Sequence, residues 1–419
     1  MKAFGGGSLA HNASWMLLGQ GMSALCQGLY FIFLARLLGP VQYGIFAGAF
    51  AMSAVLSVYA PLGSQFTLLR YVSTDLKKFA DYWGNVLFTT LVLGTLITGL
   101  LVWCVPHLAH SYSWELVLCV SVGDCLCGQL TAATASAFQA FEEMPITALL
   151  GLLTNLLRTL LAGVLLWHMH HATAQQWVIA ALGVSFLGVC TALTLITQRY
   201  GWPAFSLPLL RQRTGEGVVF AVSVSTGGIY NNFDKAMLGH YGMNAANGIY
   251  TMAYRVVDIC TLPITSVHAA AFPRFFKKGV GGVRNTTSYA LRILRRTAPL
   301  AFASTVVMVL AAPVIPHLVG KGFGEGVSAL RWLCLLPVFR SFHLSAGDAL
   351  TGAGHQNLRL STQASAALFN FVVNLFLIPH YGWLGAAWSS LATDGLLGIA
   401  NWTVLLVLRS KSKQIIGVA

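Results

Sequence analysis

The chain has 419 residues, of which 56% are hydrophobic and only 9% charged, and its formal net charge is +13. Soluble domains carry about 25% charged residues, so a water-soluble enzyme, a disordered chain and a disulfide-stapled secreted domain are all excluded. What is left is a polytopic membrane protein, in which a basic surplus reports orientation before it reports a nucleic-acid partner.

Taken in chain order, runs of about 20 mostly apolar residues mark segments able to cross the hydrocarbon core. Twelve are predicted, at 14–35, 43–64, 83–106, 114–138, 147–167, 177–197, 216–238, 246–270, 297–319, 327–351, 361–379 and 385–408. Lipid offers the backbone no hydrogen-bond partner, so each is expected to be a helix. The first run is longer than a signal-peptide core and no small-residue cleavage site follows it, which makes it a span. Trp103, Trp114, Trp167, Trp177 and Trp383 fall near predicted span ends, where interfacial belts form. No segment between spans is long enough for an extramembrane domain.

With the N-terminus placed in the cytoplasm, 18 of the 25 Lys and Arg fall on the cytoplasmic side. Only Arg36 and Lys321 fall on the other side, and Arg158, Lys235, Arg255, Arg331 and Arg340 lie within spans. That split predicts both termini in the cytoplasm. The densest stretch, Arg274 to Arg296, reads first as a topology signal at the headgroups. Its composition also suits an amphipathic helix over Phe275–Arg296 lying flat on the membrane.

The two halves carry a weak match at an offset of 204 residues. Leu34 through Phe46 (LARLLGPVQYGIF) lies over Leu238 through Tyr250 (LGHYGMNAANGIY), and Ala49 and Phe50 lie over Ala253 and Tyr254. Both copies join the first and second helix of a six-span half, which predicts two lobes, residues 1–208 and 209–419. An even number of spans per half makes the repeats parallel, related by a pseudo-two-fold axis along the membrane normal.

The string Ala35-Arg36-Leu37-Leu38-Gly39-Pro40 with Tyr43-Gly44-Ile45-Phe46 resembles the first-loop signature of polysaccharide flippases in the multidrug/oligosaccharidyl-lipid/polysaccharide (MOP) exporter superfamily. So do Asp234-Lys235, Leu238-Gly239, Gly248-Ile249-Tyr250 and Ala253-Tyr254-Arg255 in the second half. Twelve spans in a short chain are similar to the Wzx-type O-antigen and exopolysaccharide flippases; the lipid II flippases typically have fourteen. The resemblance implies an all-α fold with a V-shaped cavity between two six-helix lobes. It also implies movement of an undecaprenyl-pyrophosphate-linked oligosaccharide across the bacterial inner membrane, with membrane lipids and other polysaccharide-assembly proteins as partners. It implies no nucleic acid and no cofactor.

Ionisable groups within spans cost at least about 2.5 kcal/mol each and mark bundle interiors. Five acids, Asp124, Asp234, Asp258, Asp348 and Asp394, face the five in-span cations. Arg255 and Asp258, three apart, have the spacing to pair with each other or to leave Arg255 for a ligand. Asp234 and Lys235 are adjacent and point about 100° apart, whereas Asn231 and Lys235 share a face. Arg340 and Asp348 lie loosely along one side of the tenth span, Arg158 sits mid-span beside Asn155, and Arg331 is placed to snorkel.

A pyrophosphate needs charge-assisted donors, for which Arg offers a bidentate grip and Lys a point charge. Arg158, Lys235, Arg255 and Arg340, with Asn231, are therefore the expected cavity residues. Asp124, Asp234, Asp258, Asp348 and Asp394 are the candidates for ion coupling. Tyr230, Tyr250, Tyr254, Phe272 and Trp332 have ring faces for sugars, or serve ordinary packing. The loops show no nucleophile–base arrangement and no acidic pair, so no catalytic residue is assigned. The eight cysteines lack zinc spacing, and the cluster His168, His170 and His171 is not read as a metal site. A cation-coupled drug exporter of the same superfamily is the alternative function, and a membrane enzyme of polysaccharide assembly a more distant one.

Overall fold

The computed structural model describes residues 9–109 and 111–416; for 9–18, 20, 223, 224, 226, 227, 229, 230 and 412–416 it describes the helix path and no side chain. Among the described residues every long element is a helix, and contacts divide the chain into two compact units, Met1–Ala245 and Ala246–Ala419. The first unit holds α1 (Leu9–Ser57), α2 (Ser64–Val72), α3 (Phe79–Leu108), α4 (Trp114–Ser121), α5 (Gln129–Ala140), α6 (Met144–Met169), α7 (Ala174–Tyr200) and α8 (Leu207–His240). A π-helical turn, Val122–Gly128, joins α4 to α5. Helix α9 (Asn244–Gly279) leads into the second unit. That unit continues through α10 (Val283–Ala311), α11 (Ile315–Val319), α12 (Gly326–Leu333), α13 (Leu336–Gly352), α14 (Gln356–Tyr381) and α15 (Trp383–Ile416).

The predicted spans fall largely on helix, the second ending in a turn at 58–63 and the tenth broken at 334–335, and nine stretches among the described residues are long and apolar enough to cross a membrane as they stand. The first two predicted spans share one stretch because α1 contains both sides of a break at Gly39, where φ is 67° and ψ 174°. Pro40 disfavours the helical region for the residue before it, and only glycine takes a left-handed φ there without a steric penalty. The tenth span is divided between α12 and α13, and the seventh is α8.

Helix α8 is fastened to α2 within the first unit. A Cβ on Gly63 would lie 2.0 Å from the Gly217 carbonyl oxygen, and one on Gly217 would lie 2.5 Å from that of Leu62, so the two backbones touch. Beside this contact, Arg70 Nη1 reaches Glu216 Oε1 at 2.5 Å and Tyr71 Oη donates to Glu216 Oε2 at 3.0 Å. Arg213 donates to Tyr71 Oη at 2.7 Å and lies 4.1 Å from its ring centroid. At the other end of α8, Tyr112 packs on Gly239, where a Cβ would meet its oxygen at 1.9 Å. Burial there pushes the Tyr112 phenol well above its ordinary range. These contacts put α8 in the first compact unit, whereas the repeat boundary expected at 208/209 falls before it.

The second unit is held by a core of Ala271, Phe275, Tyr289, Ala290, Ile293, Ala346, Ala349, Leu350, Trp402 and Leu405, drawn from α9, α10, α13 and α15. The flat helix expected over Phe275–Arg296 does not form. Phe275, Tyr289 and Ile293 are buried in this core, and the chain reverses between Gly279 and Val283, with Gly282 at φ 82°. Apolar residues on both arms of the reversal face one core, so the segment is a tight helical hairpin.

Candidate transport site

In the first unit the in-span charges gather where α4 loosens. A π-turn widens the helix by one residue per turn and is frequent at functional positions. Asp124 lies in this turn, accepts a hydrogen bond from Ser53 Oγ of α1 at 3.2 Å, and has Ser57 and the Arg158 charge as further partners. Arg158, on α6, donates from Nη2 to Ser185 Oγ of α7 at 3.0 Å, while its buried Nε has no partner among the described residues. Its neighbour Asn155 hydrogen-bonds Ser23. Spans from α1, α4, α6 and α7 thus converge on one polar cluster, which accounts for two of the expected residues, Arg158 and Asp124.

On α8, Asp234 is buried and accepts the Lys235 backbone N–H at 2.8 Å. The Lys235 ammonium folds back onto the Asn231 carbonyl, so the shared face read from their spacing is realised as a direct contact. Tyr230 lies among the residues whose side chains are outside the described set.

The second unit contains two polar ties between the same pair of helices. In one, Arg340 of α13 reaches Asp258 of α9 at 2.9 Å and Asp394 of α15 at 3.9 Å, with its guanidinium 5.8 Å from the Tyr254 ring centroid. Arg255 is exposed on α9. In the other, Asp348 of α13 receives His268 Nδ1 of α9 at 2.9 Å and Arg359 Nη1 of α14 at 3.2 Å. Arg359 also donates to Thr351 Oγ1 at 2.8 Å. Asp348 therefore does not partner Arg340, although the two lie along one side of the same helix. His268 and Arg359 are the residues that reading Asp, Glu, Lys and Arg within spans misses. A histidine inside an apolar run was the available signal for the first.

Beside these ties, Asn370 donates to Ser389 and Thr393 at 3.0 and 3.1 Å, and Asn374 donates to Asn370 at 2.9 Å. Tyr250 is fully buried against Ser390 at 2.9 Å, which makes it a packing residue. Phe272 pairs with Phe276, and Trp332 is exposed beside Trp388.

Helices long enough to cross a membrane, with in-span charges tied across neighbouring helices, define a polytopic membrane protein, and solved structures bear out the fold. An inward-facing multidrug resistance MATE transporter of the MOP superfamily superposes with a TM-score of 0.72 at 15% identity, covering 93% of this chain and 96% of that one. The MATE transporter DinF-BH in complex with R6G gives 0.63 at 15% identity, covering 96% and 95%. The family described as "Polysaccharide biosynthesis protein" matches residues 9–278, and the chain belongs to it. Relatives include a putative O-antigen transporter of Escherichia coli (strain K12), 22% identical over 93% of this chain and 95% of its own length. An uncharacterised membrane protein of Methanocaldococcus jannaschii is 22% identical over 89% and 79%.

Proposed function

We propose that the chain is a flippase, not an enzyme, that carries an undecaprenyl-pyrophosphate-linked oligosaccharide across the bacterial inner membrane. The cargo is an O-antigen or exopolysaccharide repeat unit, moved by alternating access of lobes 1–208 and 209–419, and both termini are cytoplasmic. The observation that carries this reading is the family match over residues 9–278 together with near end-to-end similarity to a putative O-antigen transporter.

The charge geometry supports an anionic cargo. Arg340 sits between two carboxylates, so it is a neutralised cation in a low-dielectric span, and Arg158 is held by Ser185 in the polar cluster of the first unit. A phosphate oxygen can replace the Asp258 carboxylate on the Arg340 guanidinium without leaving a bare buried charge, because Asp258 is half-exposed. Arg255, exposed, and Lys235, half-buried, supply two further donors. Asp124, Asp234, Asp258, Asp348 and Asp394 are the acids through which ion coupling would act.

Deleting the gene tests the reading. Lipid-linked repeat units should accumulate in the cytoplasmic leaflet while surface polysaccharide disappears, and the wild-type gene should restore export. Alanine at Arg158, Lys235, Arg255 and Arg340, at equal protein level, should reduce that rescue. Unchanged polysaccharide with altered sensitivity to cationic drugs would overturn the proposal in favour of a drug exporter.

A further inference from the structure

The positive charge of this chain is not shared between its units. Residues 246–419 contain 15 Lys and Arg against four acids, whereas residues 1–245 contain ten against eight. Orientation alone asks for cations beside both sets of spans, and gives no reason for one set to hold nearly all of the surplus.

Most of that surplus sits on the α9–α10 hairpin. Arg274, Lys277 and Lys278 end α9, and Arg284, Arg292, Arg295 and Arg296 lie along α10; all seven are exposed. The sequence has no Asp or Glu between Asp258 and Glu325. Among the described residues, none of the seven has a carboxylate within ion-pair distance. The first unit's comparable end differs: Arg70 and Arg213 pair with Glu216, Arg199 with Glu143, and Lys78 with Asp75.

The hairpin is also stiff. Phe275, Tyr289, Ala290 and Ile293 anchor both arms in the core, and a Cβ on Gly279 would lie 1.7 Å from the Gly352 carbonyl oxygen. The backbone that carries its cations is therefore fixed, and among the described residues none of them is paired with a carboxylate. Like charges packed this closely on a rigid support repel one another unless an external anion covers them.

We propose that this hairpin is a docking surface for the anionic phospholipid headgroups of the leaflet it faces. Its depth favours lipid over an acidic protein. Helix α10 has 29 residues, about 43 Å at 1.5 Å per residue. Only Thr297–Ala311 of it, about 22 Å, belongs to the ninth span, so its first half extends out of the hydrocarbon core. The apolar run begins at Thr297, so Arg292, Arg295 and Arg296, within about 8 Å of it along the helix axis, stand at the headgroups, and Arg284, about 20 Å from it, stands beyond them. Phe276, Val280 and Leu291 are exposed among the cations, the mixture of apolar and basic side chains that interfacial segments present to lipid. The surface keeps the second unit in an anionic annulus. The flippase reading enters only in naming the leaflet as cytoplasmic.

The lipid titration needs no transport substrate, so it fails or succeeds apart from the proposed function. Purified full-length protein in detergent is titrated with phosphatidylglycerol or phosphatidylcholine, and thermal stability is read. Phosphatidylglycerol should stabilise the wild type at lower concentration. The fourfold variant R284Q/R292Q/R295Q/R296Q should shift its midpoint by about a hundredfold or more, at about a tenfold loss for each one or two neutralised cations. The double variant K77Q/K78Q, on the first unit, should leave the midpoint in place. Equal stabilisation by both lipids, or an unmoved midpoint in the fourfold variant, overturns the proposal. Inorganic phosphate reproducing the effect overturns it in favour of a free-anion site. A fourfold variant that loses polysaccharide export without any change in lipid preference overturns it in favour of an acidic protein partner.

Discussion

Asp348 is buried on α13 and compensates two groups at once, the imidazole of His268 on α9 and the guanidinium of Arg359 on α14. Removing one member of a buried charge cluster costs more than the pair contributes, because the remaining charge is left without a partner. Asp348→Ala should therefore destabilise the protein by about 3–5 kcal/mol, and Asp348→Asn by less, since its amide oxygen still accepts from His268. Thermal melting of the purified variants checks the order; an alanine variant as stable as the wild type would remove Asp348 from this role. The sequence showed that Asp348 needed a partner and could not show which. Spacing along one helix places Arg340 on the same side, but the partners come from α9 and α14, and cross-helix contacts leave no mark in a linear spacing. His268 carries no formal charge and so escaped a search for charged residues, and Arg359 stands at a helix start where it reads as a topology signal. Arg340 makes a related point about shape. Its fork spans Asp258 and Asp394, so Arg340→Lys, which keeps the charge and loses the fork, should rescue export better than Arg340→Ala and less well than wild type. Equal rescue by lysine and arginine would mean that charge alone matters there.

Among the elements, the existence of each span was legible because about 20 apolar residues in a row have few other fates. The breaks were less so. Gly39 and Gly63 both have left-handed φ, 67° and 72°, but they differ in what surrounds them. A Cβ on Gly39 meets nothing within 4 Å, so Gly39→Ala incurs only the backbone term, about 1–3 kcal/mol at φ 67° and ψ 174°, and should yield folded protein. A Cβ on Gly63 would lie 2.0 Å from the Gly217 backbone, which cannot move without lifting α8 off α2. Gly63→Ala should therefore accumulate at a small fraction of the wild-type level in membranes, measured by immunoblot beside Gly39→Ala. If both variants accumulate equally, the α2–α8 contact does not hold that part of the fold. The sequence marks both positions only as glycines beside apolar runs. The distinction arises from a neighbour about 150 residues away, as helix–helix contacts in membranes usually do.

For the molecule as a whole, the charge surplus predicts orientation, and its uneven division predicts how strongly each part is held to it. Every cation of the α9–α10 hairpin lies on one side of the ninth span, and Lys321 lies just beyond the other end. The eight native thiols are free, and most are in or beside spans, so wild-type protein sets the background for thiol labelling. With a membrane-impermeant maleimide, Lys321→Cys should react in spheroplasts, whereas Lys277→Cys should react only after the membrane is permeabilised. Labelling of Lys277→Cys in intact spheroplasts would reverse the orientation and, with it, the direction in which a lipid-linked cargo moves. The same pair separates two origins of the surplus. If the hairpin cations served orientation alone, neutralising four of them would let Lys277→Cys label from outside in part of the population. If they serve lipid contact, orientation persists through the remaining cytoplasmic cations while the preference for anionic lipid is lost, because insertion needs only a bias in cations and headgroup binding needs their number.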